Sequence, residues 1–461
     1  MRLPGKLLLL LCIVILSACQ GTNRPDLNRL YGFDSNSQTA AHPVILIHGI
    51  TGSKLRHRVT KKEEWYGNLS KLAFSNYAQI RLDIDPLTLQ AKESELEAYS
   101  ILDTVTGIRI YEDIIDTLSQ YGGYQLTEVD QPLTGSYKRN LYVFVYDWRR
   151  DNIESVRQLH QYIQKIKQQH NNPDLKIDVV AHSMGGLILR YYLRYGALDV
   201  LGENDFVFDP EPSKNIRKAI LLGTPNLGSV LSVYRFVHGL QFNLRSIPVE
   251  VLITMPSIYQ MLPHSLNNWL VDNQGNPMTL DIFDADNWQK HRWAIYDPEI
   301  RERIIENADS PEKGAHQVAI LENYFSQHLE RARRFLWSLT VPLEAINHEF
   351  VVMGGDCELT AARLVFETLE DGRYQLSKKP SQVKNKVKGV DYDRIMLEPG
   401  DGLVTKASAL SRVHLNPVLP RNPYSFFPLK YPIFLCADHG SLTSNINFQD
   451  NLLQTLLSPD L

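Results

Sequence analysis

Runs of consecutive apolar residues, many of them β-branched, recur along the chain and stop at small or polar residues. A short continuous apolar run predicts a strand that is buried on both faces, as strands of parallel sheets are. The runs that we assign to strands cover residues 43–47, 141–146, 175–181, 216–222, 349–353 and 431–435. Apolar residues at helical spacing occupy residues 111–121, 153–170 and 442–457. Alternating strands and helices predict an α/β fold with a doubly wound, mostly parallel sheet.

Two long stretches interrupt this alternation. Residues 56–99 form a predicted insertion in which apolar side chains have mixed, helix-like spacing, and these side chains are Trp65, Tyr66, Leu69, Leu72, Phe74 and Tyr77. Residues 230–345 contain helical patterns but no strand run, so we predict an inserted helical cap there. The first part of the cap, residues 230–255, is the predicted mobile lid. The expected core is then formed by residues 42–229 and 346–461.

The first 18 residues have the pattern of a targeting segment, a signal peptide, rather than of a folded element. A charged start precedes an apolar stretch that is too short to span a bilayer. Residues 16–19, L-S-A-C, resemble the lipobox of bacterial lipoproteins, which implies lipidation of Cys19; an ordinary signal peptide with an incidental cysteine is the alternative. Residues 19–41 are polar and predict a tether. Gln20, the residue after the lipidated cysteine, implies a location in the outer membrane of the cell envelope. Lipoproteins that are retained before the outer membrane usually have Asp at this position.

Charge and cysteine content exclude some partners and leave one pairing open. The formal net charge is -4, with both signs interspersed, so no basic stripe exists for a nucleic-acid backbone and no nucleic-acid partner is expected. No metal-ligand cluster stands out in the sequence, and no cofactor is implied. Cys12 leaves with the signal peptide and Cys19 is the predicted lipidation site, so Cys357 and Cys436 are the two cysteines left to pair. In an oxidising compartment the two can form a disulfide; two separate buried thiols are the alternative.

The strongest chemical signal is the turn at residues 181–186, A-H-S-M-G-G, where a predicted strand ends and a helical pattern begins. Ser183 lies two residues after Ala181 and two before Gly185. Small residues are required at these positions because the strand and helix backbones pass close together, and the strained turn exposes the serine hydroxyl. Ser183 is therefore the predicted nucleophile.

A glycine-containing loop, residues 48–53, follows the first predicted strand. At this position the backbone N–H of Ile50 can hold the negative charge of a tetrahedral intermediate together with the N–H of Met184. We predict that these two groups form the oxyanion hole. A plain glycine turn is the alternative.

The base and the acid are expected downstream of Ser183, in the order of α/β-hydrolases. His439 follows the last predicted strand and is the predicted base. The acid is either Asp356, soon after the strand at residues 349–353, or Asp401, in the sequence G-D-G. We favour Asp401 because it is nearer to His439 along the chain and its glycine neighbours allow a tight turn. Asp438 is disfavoured because its side chain would have to fold back onto its own neighbour.

Taken in order, the motifs resemble those of the lecithin:cholesterol acyltransferase family of α/β-hydrolases, including its bacterial lipase-like members. The motifs occupy residues 43–55, 65, 146–149, 181–186, 222–229, 256–263, 400–404 and 439. The resemblance implies the triad and oxyanion residues given above, an ion pair between Asp147 and Arg149, and lipid contact by the region around Trp65. Residues 264–340 match nothing in the family pattern, so the resemblance leaves the choice of substrate open.

These features predict a membrane-anchored serine esterase, lipase or phospholipase that cleaves acyl esters through an acyl-enzyme. The expected partners are a lipid or other acyl-ester substrate and, through the N-terminal lipid anchor, the membrane. One alternative is an acyltransferase that moves a lipid acyl group to an alcohol acceptor. The other is a non-catalytic surface lipoprotein that uses the fold for binding.

Overall fold

The computed structural model describes residues 25–31, 42–67, 75–105, 108–133, 139–203, 205–242, 245–342, 348–416 and 418–459. Within these ranges the chain is organised around a central sheet of seven strands. The strands are β1 (Val44–Ile47), β2 (Gln125–Leu126), β3 (Asn140–Phe144), β4 (Ile177–His182), β5 (Ile216–Leu222), β6 (Phe350–Gly355) and β7 (Leu429–Leu435). The predicted α/β fold is confirmed. Only the two-residue edge strand β2 had no apolar run to predict it.

The strands lie in the order β2-β3-β1-β4-β5-β6-β7, and every neighbouring pair is parallel. After β1 the chain continues to β2 and β3 on one side of it, then crosses to β4 on the other side. The crevice outside the carboxyl ends of β1 and β4 is therefore the switch point at which open α/β sheets bind ligands. Ile47 at the end of β1 is paired with Ala181 of β4, so the loops that begin at His48 and Ser183 leave the sheet side by side.

The described residues form thirteen α-helices, and some of them cover the two faces of this sheet. The helices are α1 (Leu27–Tyr31), α2 (Glu112–Gln120), α3 (Asn152–Gln169), α4 (Met184–Tyr195), α5 (Val230–His238), α6 (Val249–Leu252), α7 (Pro256–Tyr259), α8 (Ala285–His291), α9 (Pro298–Glu306), α10 (Pro311–Thr340), α11 (Tyr392–Met396), α12 (Lys406–Ala409) and α13 (Ile446–Leu457). Ile45 and Ile47 share a core cluster with α3 and α4, whereas Val44 and Leu46 share one with α2 and α13. Alternate residues of a strand point to opposite faces, so strands covered on both faces are largely apolar.

Part of the predicted tether belongs to the folded unit. Leu27 and Tyr31, four residues apart on α1, are buried, and the Tyr31 hydroxyl donates to Asp450 Oδ1 on α13 at 2.6 Å. A five-residue helix with two buried apolar positions is too short to reveal a periodicity in the sequence. The predicted signal peptide, residues 1–18, and Cys19 lie outside the described residues.

Where the structure describes it, the predicted insertion contains short strands and one 3-10 helix, Ala78–Ile80, although its mixed spacing was helix-like. Ser53–His57 pairs antiparallel with both Glu63–Trp65 and Leu96–Ile101, and Thr104–Val105 pairs with Ile108–Arg109. Leu69, Leu72 and Phe74 lie outside the described residues. The buried Arg149 ties this sheet to the core, because its guanidinium donates to Ile80 O at 3.0 Å and to Ser94 Oγ at 2.8 Å.

Helices α5 to α10 lie between β5 and β6, in the stretch predicted as a helical cap. This stretch also contains three strands that are too short to form a run of apolar residues, Leu240–Phe242, Arg245–Ile247 and Leu270–Asp272. The 30-residue α10 is fastened to α4, since Arg190 donates to Leu339 O at 2.6 Å and the Tyr195 hydroxyl donates to Ser338 O. The mobility of residues 230–255 stays a prediction.

A second excursion leaves the sheet after β6. It contains the strands Glu358–Ala361, Leu364–Thr368, Tyr374–Ser377 and Leu397–Gly400, followed by α12. The first and last of these strands pair antiparallel, so the excursion returns to the place where it left the sheet. Among the helices that the structure describes, none is both long and apolar enough to cross a membrane.

Candidate active site

The turn between β4 and α4 holds Ser183 in a conformation that L residues rarely adopt. Its φ is 54° and its ψ is -124°, and such positive-φ strain in a non-glycine residue persists only where the surroundings enforce it. The surroundings do so here, because Ser183 N donates to Leu222 O at the end of β5 at 2.7 Å and Gly186 N donates to Ser183 O at 3.0 Å. The sharp turn places Oγ at the carboxyl edge of the sheet.

Glycines around this turn allow close approaches that a methyl group would prevent. A Cβ at Gly185 would lie 2.6 Å from His48 O, and a Cβ at Gly49 would lie 2.7 Å from Ser183 Cβ. At Gly186 it would lie 2.0 Å from Thr224 Oγ1. The pattern of small residues after Ser183 therefore has the steric cause that the sequence suggested.

The three residues predicted to form the triad come together in one line of hydrogen bonds. Ser183 Oγ lies 3.0 Å from His439 Nε2, and His439 Nδ1 lies 2.8 Å from Asp401 Oδ2. A backbone bond from His439 N to Asp401 O, 2.8 Å, fixes the two loops to each other. The other carboxylate oxygen, Oδ1, accepts from Leu403 N at 3.0 Å and Val404 N at 2.7 Å.

Asp401 is ionised although it is only 2% exposed. Burial alone would raise the pKa of its carboxyl group, but His439 and the N–H groups of Val404 and Leu403 outweigh burial and hold the pKa below its usual 3.8. The carboxylate can therefore orient the imidazole, with the proton on Nδ1 and the lone pair of Nε2 facing Ser183 Oγ.

The two competing carboxylates are engaged elsewhere. Asp356 Oδ2 pairs with Lys406 Nζ at 2.7 Å. Asp438 Oδ1 accepts from Gly440 N at 3.0 Å and Ser441 N at 3.1 Å, so it stabilises the turn after His439 instead of facing the ring. Asp401 is distant from β6 in the sequence but lies beside its end in space, since a Cβ added to Gly355 would lie 2.9 Å from Asp401 Cβ.

Both predicted oxyanion donors lie beside Ser183, and no described residue accepts a hydrogen bond from the N–H of Ile50 or of Met184. The peptide group between Gly49 and Ile50 is held by hydrogen bonds to its carbonyl oxygen. Gly49 O accepts from His48 Nδ1 at 2.8 Å and from Gly52 N at 3.2 Å. In a trans peptide the C=O and N–H point in opposite directions, so these bonds aim the Ile50 N–H the other way.

Three residues that the sequence did not single out hold this loop. Burial lowers the pKa of His48 to about 4, so its ring is neutral, and Tyr146 N donates to its Nε2 at 3.3 Å. His48 O accepts from the Tyr146 hydroxyl and Gly49 N donates to the Tyr111 hydroxyl, both at 2.8 Å. His48 and Tyr146 lie in the motifs at residues 43–55 and 146–149 but had no role assigned to them, whereas Tyr111 stands in no motif and only its position in space reveals it.

Two further expectations concern residues near the site. The ion pair between Asp147 and Arg149 is present, with 2.6 Å between Arg149 Nη2 and Asp147 Oδ2. Trp65 is fully buried, and its ring lies 5.3 Å from that of Trp148 and 5.8 Å from that of Tyr77. Trp65 itself is thus a core residue in this structure and not part of a lipid-contacting surface.

Cys357 and Cys436 form a disulfide with a Cα–Cα distance of 4.9 Å. The bond joins the start of the excursion that ends at Asp401 to the segment three residues before His439. It therefore cross-links the two loops that carry the acid and the base. Among the described residues, no group of three or more His, Cys, Asp or Glu side chains could hold a metal ion.

A family model described as lecithin:cholesterol acyltransferase matches residues 96–331, just over half of the chain. No curated protein sequence gives a significant match. A chain in the Tle4-Tli4 complex is similar in structure, with a TM-score of 0.54 and 13% identity over 92% of this chain and 100% of that chain. At this identity the likeness concerns the fold alone.

Two other solved structures are similar to this chain over nearly its whole length. The mature form of the Bacillus licheniformis lipase BlEst2 has a TM-score of 0.35 and 12% identity, covering 92% of this chain and 95% of that one. EstA from Clostridium botulinum has the same TM-score and identity, covering 93% and 91%. On the strength of the family model, which matches just over half of its length, the chain belongs to the lecithin:cholesterol acyltransferase family and is a serine hydrolase or O-acyltransferase with the α/β-hydrolase fold.

Proposed function

We propose that the protein cleaves the acyl ester of a lipid, as an esterase, lipase or phospholipase, through an acyl-enzyme on Ser183. One observation carries this proposal. Ser183 Oγ, His439 and Asp401 form an unbroken hydrogen-bonded line with distances of 3.0 and 2.8 Å, and the serine is on a strained turn. Such a line activates a hydroxyl that is otherwise a weak nucleophile.

The reaction follows from the direction of these hydrogen bonds. Ser183 Oγ attacks the ester carbonyl while its proton moves to His439 Nε2, and Asp401 stabilises the imidazolium that results. The N–H groups of Ile50 and Met184 receive the oxyanion. The imidazolium then protonates the leaving alcohol, and a water molecule deprotonated by His439 releases the acyl group from Ser183.

The test is the activity of Ser183→Ala toward short-chain nitrophenyl esters. We expect turnover to fall to background, with the melting temperature close to that of the wild type. Ser213→Ala is the matched control, because Ser213 is also a serine but its hydroxyl donates to Pro210 O at the surface. Labelling by a fluorophosphonate probe should require Ser183. Unchanged hydrolysis in Ser183→Ala would contradict the proposal, and a wild type that takes up no probe would support a binding scaffold instead.

Acyl transfer to an alcohol is the second candidate, and the description of the matching family model favours it. Hydrolysis and transfer share every step up to the acyl-enzyme and differ only in the nucleophile that removes the acyl group. Product analysis with and without a sterol or lysolipid acceptor distinguishes them. An acylated acceptor at the expense of free fatty acid indicates transfer, and an unchanged fatty-acid yield indicates hydrolysis.

We further propose that acylation of Cys19 anchors the protein to the outer membrane of a bacterial envelope. The support is the L-S-A-C sequence at residues 16–19, and several acyl chains on one cysteine bind a membrane stably. We expect metabolic labelling with a fatty acid in the wild type and none in Cys19→Ala, which should also leave the membrane fraction. Equal labelling of both proteins, or a soluble wild type, would contradict the anchor.

A further inference from the structure

The Tyr111 hydroxyl lies between the oxyanion loop and the residue before the nucleophile. It accepts from Gly49 N at 2.8 Å and lies 2.7 Å from His182 Nδ1. A phenol has one proton, and the bond from Gly49 N does not use it. The proton of Tyr111 is therefore donated to His182 Nδ1, so that Nδ1 is an acceptor and the ring proton of a neutral His182 is on Nε2.

His182 in turn lies against the predicted base. The centres of the His182 and His439 rings are 4.9 Å apart. Burial, with the neighbouring His439, lowers the pKa of His182 to about 3, so the ring is neutral. Its Nε2–H has no well-formed hydrogen bond, although the backbone carbonyl of His439 is near enough to favour the protonated ring. A positive charge on His182 would oppose the imidazolium that His439 must become during acylation.

Tyr111 is itself held rigidly. It is 2% exposed and precedes α2, and burial raises the pKa of its hydroxyl, which therefore stays protonated. The carbonyl of the preceding residue, Ile110, accepts a hydrogen bond from Thr443, four residues after His439. The segment thus contacts the oxyanion loop, the nucleophile turn and the loop of the base.

We propose that Tyr111 is a positioning residue for the reaction, because its hydroxyl aligns the oxyanion loop through Gly49 and holds His182 as the neutral Nε2–H tautomer beside His439. This inference rests on the proposed function of Ser183. A purely structural tyrosine would stabilise the fold without favouring the transition state, so the two roles differ in kcat.

The main experiment compares Tyr111→Phe with Tyr142→Phe. Tyr142 is the matched control, because it is also fully buried and its hydroxyl lies 2.5 Å from Gln169 Oε1 and 3.0 Å from His170 Nε2, away from the site. Both variants should lower the melting temperature. Only Tyr111→Phe should lower kcat, by about tenfold with KM little changed, since outright removal of an oxyanion donor costs about 10²–10³ in kcat.

A second measurement is the affinity for a boronic acid inhibitor, whose tetrahedral adduct with a serine carries the oxyanion geometry. Tyr111→Phe should weaken it by the same factor as kcat, because only interactions realised in the transition state are lost. Equal kcat and inhibitor affinity in Tyr111→Phe and wild type would overturn the inference. So would an equal loss of kcat in Tyr142→Phe, which would indicate a general effect of stability.

A double-mutant cycle tests the link to His182. His182→Leu removes the acceptor of the Tyr111 proton and should lower kcat, but by less than Tyr111→Phe, which also removes the acceptor of the Gly49 N–H. The double variant should be no worse than Tyr111→Phe alone, because Tyr111→Phe already breaks the bond to His182. His182→Asn keeps an oxygen acceptor and should recover most of the activity. Multiplicative losses, or no difference between Leu and Asn, would refute the link. A failure of the proposed function is distinguishable, since it would show as an inactive wild type.

Discussion

Replacement of Asp401 by Asn tests the assignment of the acid, and the hydrogen bonds of the site determine its effect. The two carboxylate oxygens have different partners. Oδ1 accepts from two backbone N–H groups, those of Leu403 and Val404, and Oδ2 accepts from His439 Nδ1. An Asn side chain has one oxygen and one NH2 group. Its oxygen must take the Oδ1 position, because NH2 there would face two donors.

The NH2 group of the introduced asparagine would therefore face His439 Nδ1 and donate to it. The proton of the imidazole would move to Nε2, which then donates to Ser183 Oγ instead of accepting its proton. Because Asp401 is 2% exposed, water cannot restore the original tautomer. The corresponding change in the well-studied serine protease triad lowers kcat about 10⁴-fold with the geometry intact, so we expect a loss of about 10³–10⁴-fold here.

The assay is steady-state hydrolysis of a nitrophenyl ester by Asp401→Asn, with Asp356→Asn as the matched control. Asp356 is the other candidate acid, but its ion pair with Lys406 is about 30% exposed on both sides, and such pairs contribute only about 0–1 kcal/mol. Its variant should stay within about threefold of the wild-type kcat. A value for Asp401→Asn within tenfold of the wild type, or a larger loss in Asp356→Asn, would refute this assignment.

Three further predictions concern the contact at Gly49, the disulfide and the buried histidines. Gly49→Ala should lower kcat by about 10²-fold and the free energy of unfolding by about 1–3 kcal/mol, because its Cβ would lie 2.7 Å from Ser183 Cβ and must displace the nucleophile; wild-type kcat would disprove this. Replacing Cys357 and Cys436 by Ser should lower the free energy of unfolding in urea by about 2–5 kcal/mol, given a loop closed over 79 residues, and an unchanged midpoint would contradict it. Stability should also fall as the pH drops below 6.5, since buried histidines have folded pKa values below their unfolded ones and the unfolded chain binds more protons. The free energy of unfolding should change by up to about 1.4 kcal/mol per pH unit for each such residue, and a flat profile between pH 7 and 5 would contradict this. Their pKa values are about 4 for His48 and His328 and about 3 for His182 and His264.

Much of the fold could be read from the sequence because the central strands are buried on both faces. A strand such as β1, with every residue from Val44 to Ile47 buried, is apolar throughout and therefore forms a visible run. The edge strand β2 has two residues, one of them exposed, and forms none. The strands of the insertion were not evident from the sequence for a related reason. Its small antiparallel sheet is formed by short, widely separated strands, and none of them forms a long apolar run.

The nucleophile was evident from the sequence because its requirements are local. The strained turn at Ser183 needs small residues at fixed distances along the chain, and these positions can be recognised without a partner. His439 was recognisable for a similar reason, as the histidine that follows the last strand by four residues.

The acid and the positioning residues depend on contacts that the chain makes across space. Asp401 reaches the end of β6 only because Glu358–Ala361 pairs with Leu397–Gly400 and returns the chain to Gly355. Tyr111 meets Gly49 and His182 from positions 62 and 71 residues away. The sequence by itself determined a parallel sheet and a serine on its elbow, since both follow from local patterns of size and polarity. The sequence favoured Asp401 as the acid, and the tertiary structure brought it to His439. The tertiary structure alone decided which tyrosine and which neutral histidine surround that serine, because hydrogen bonds between distant segments leave no spacing in the sequence.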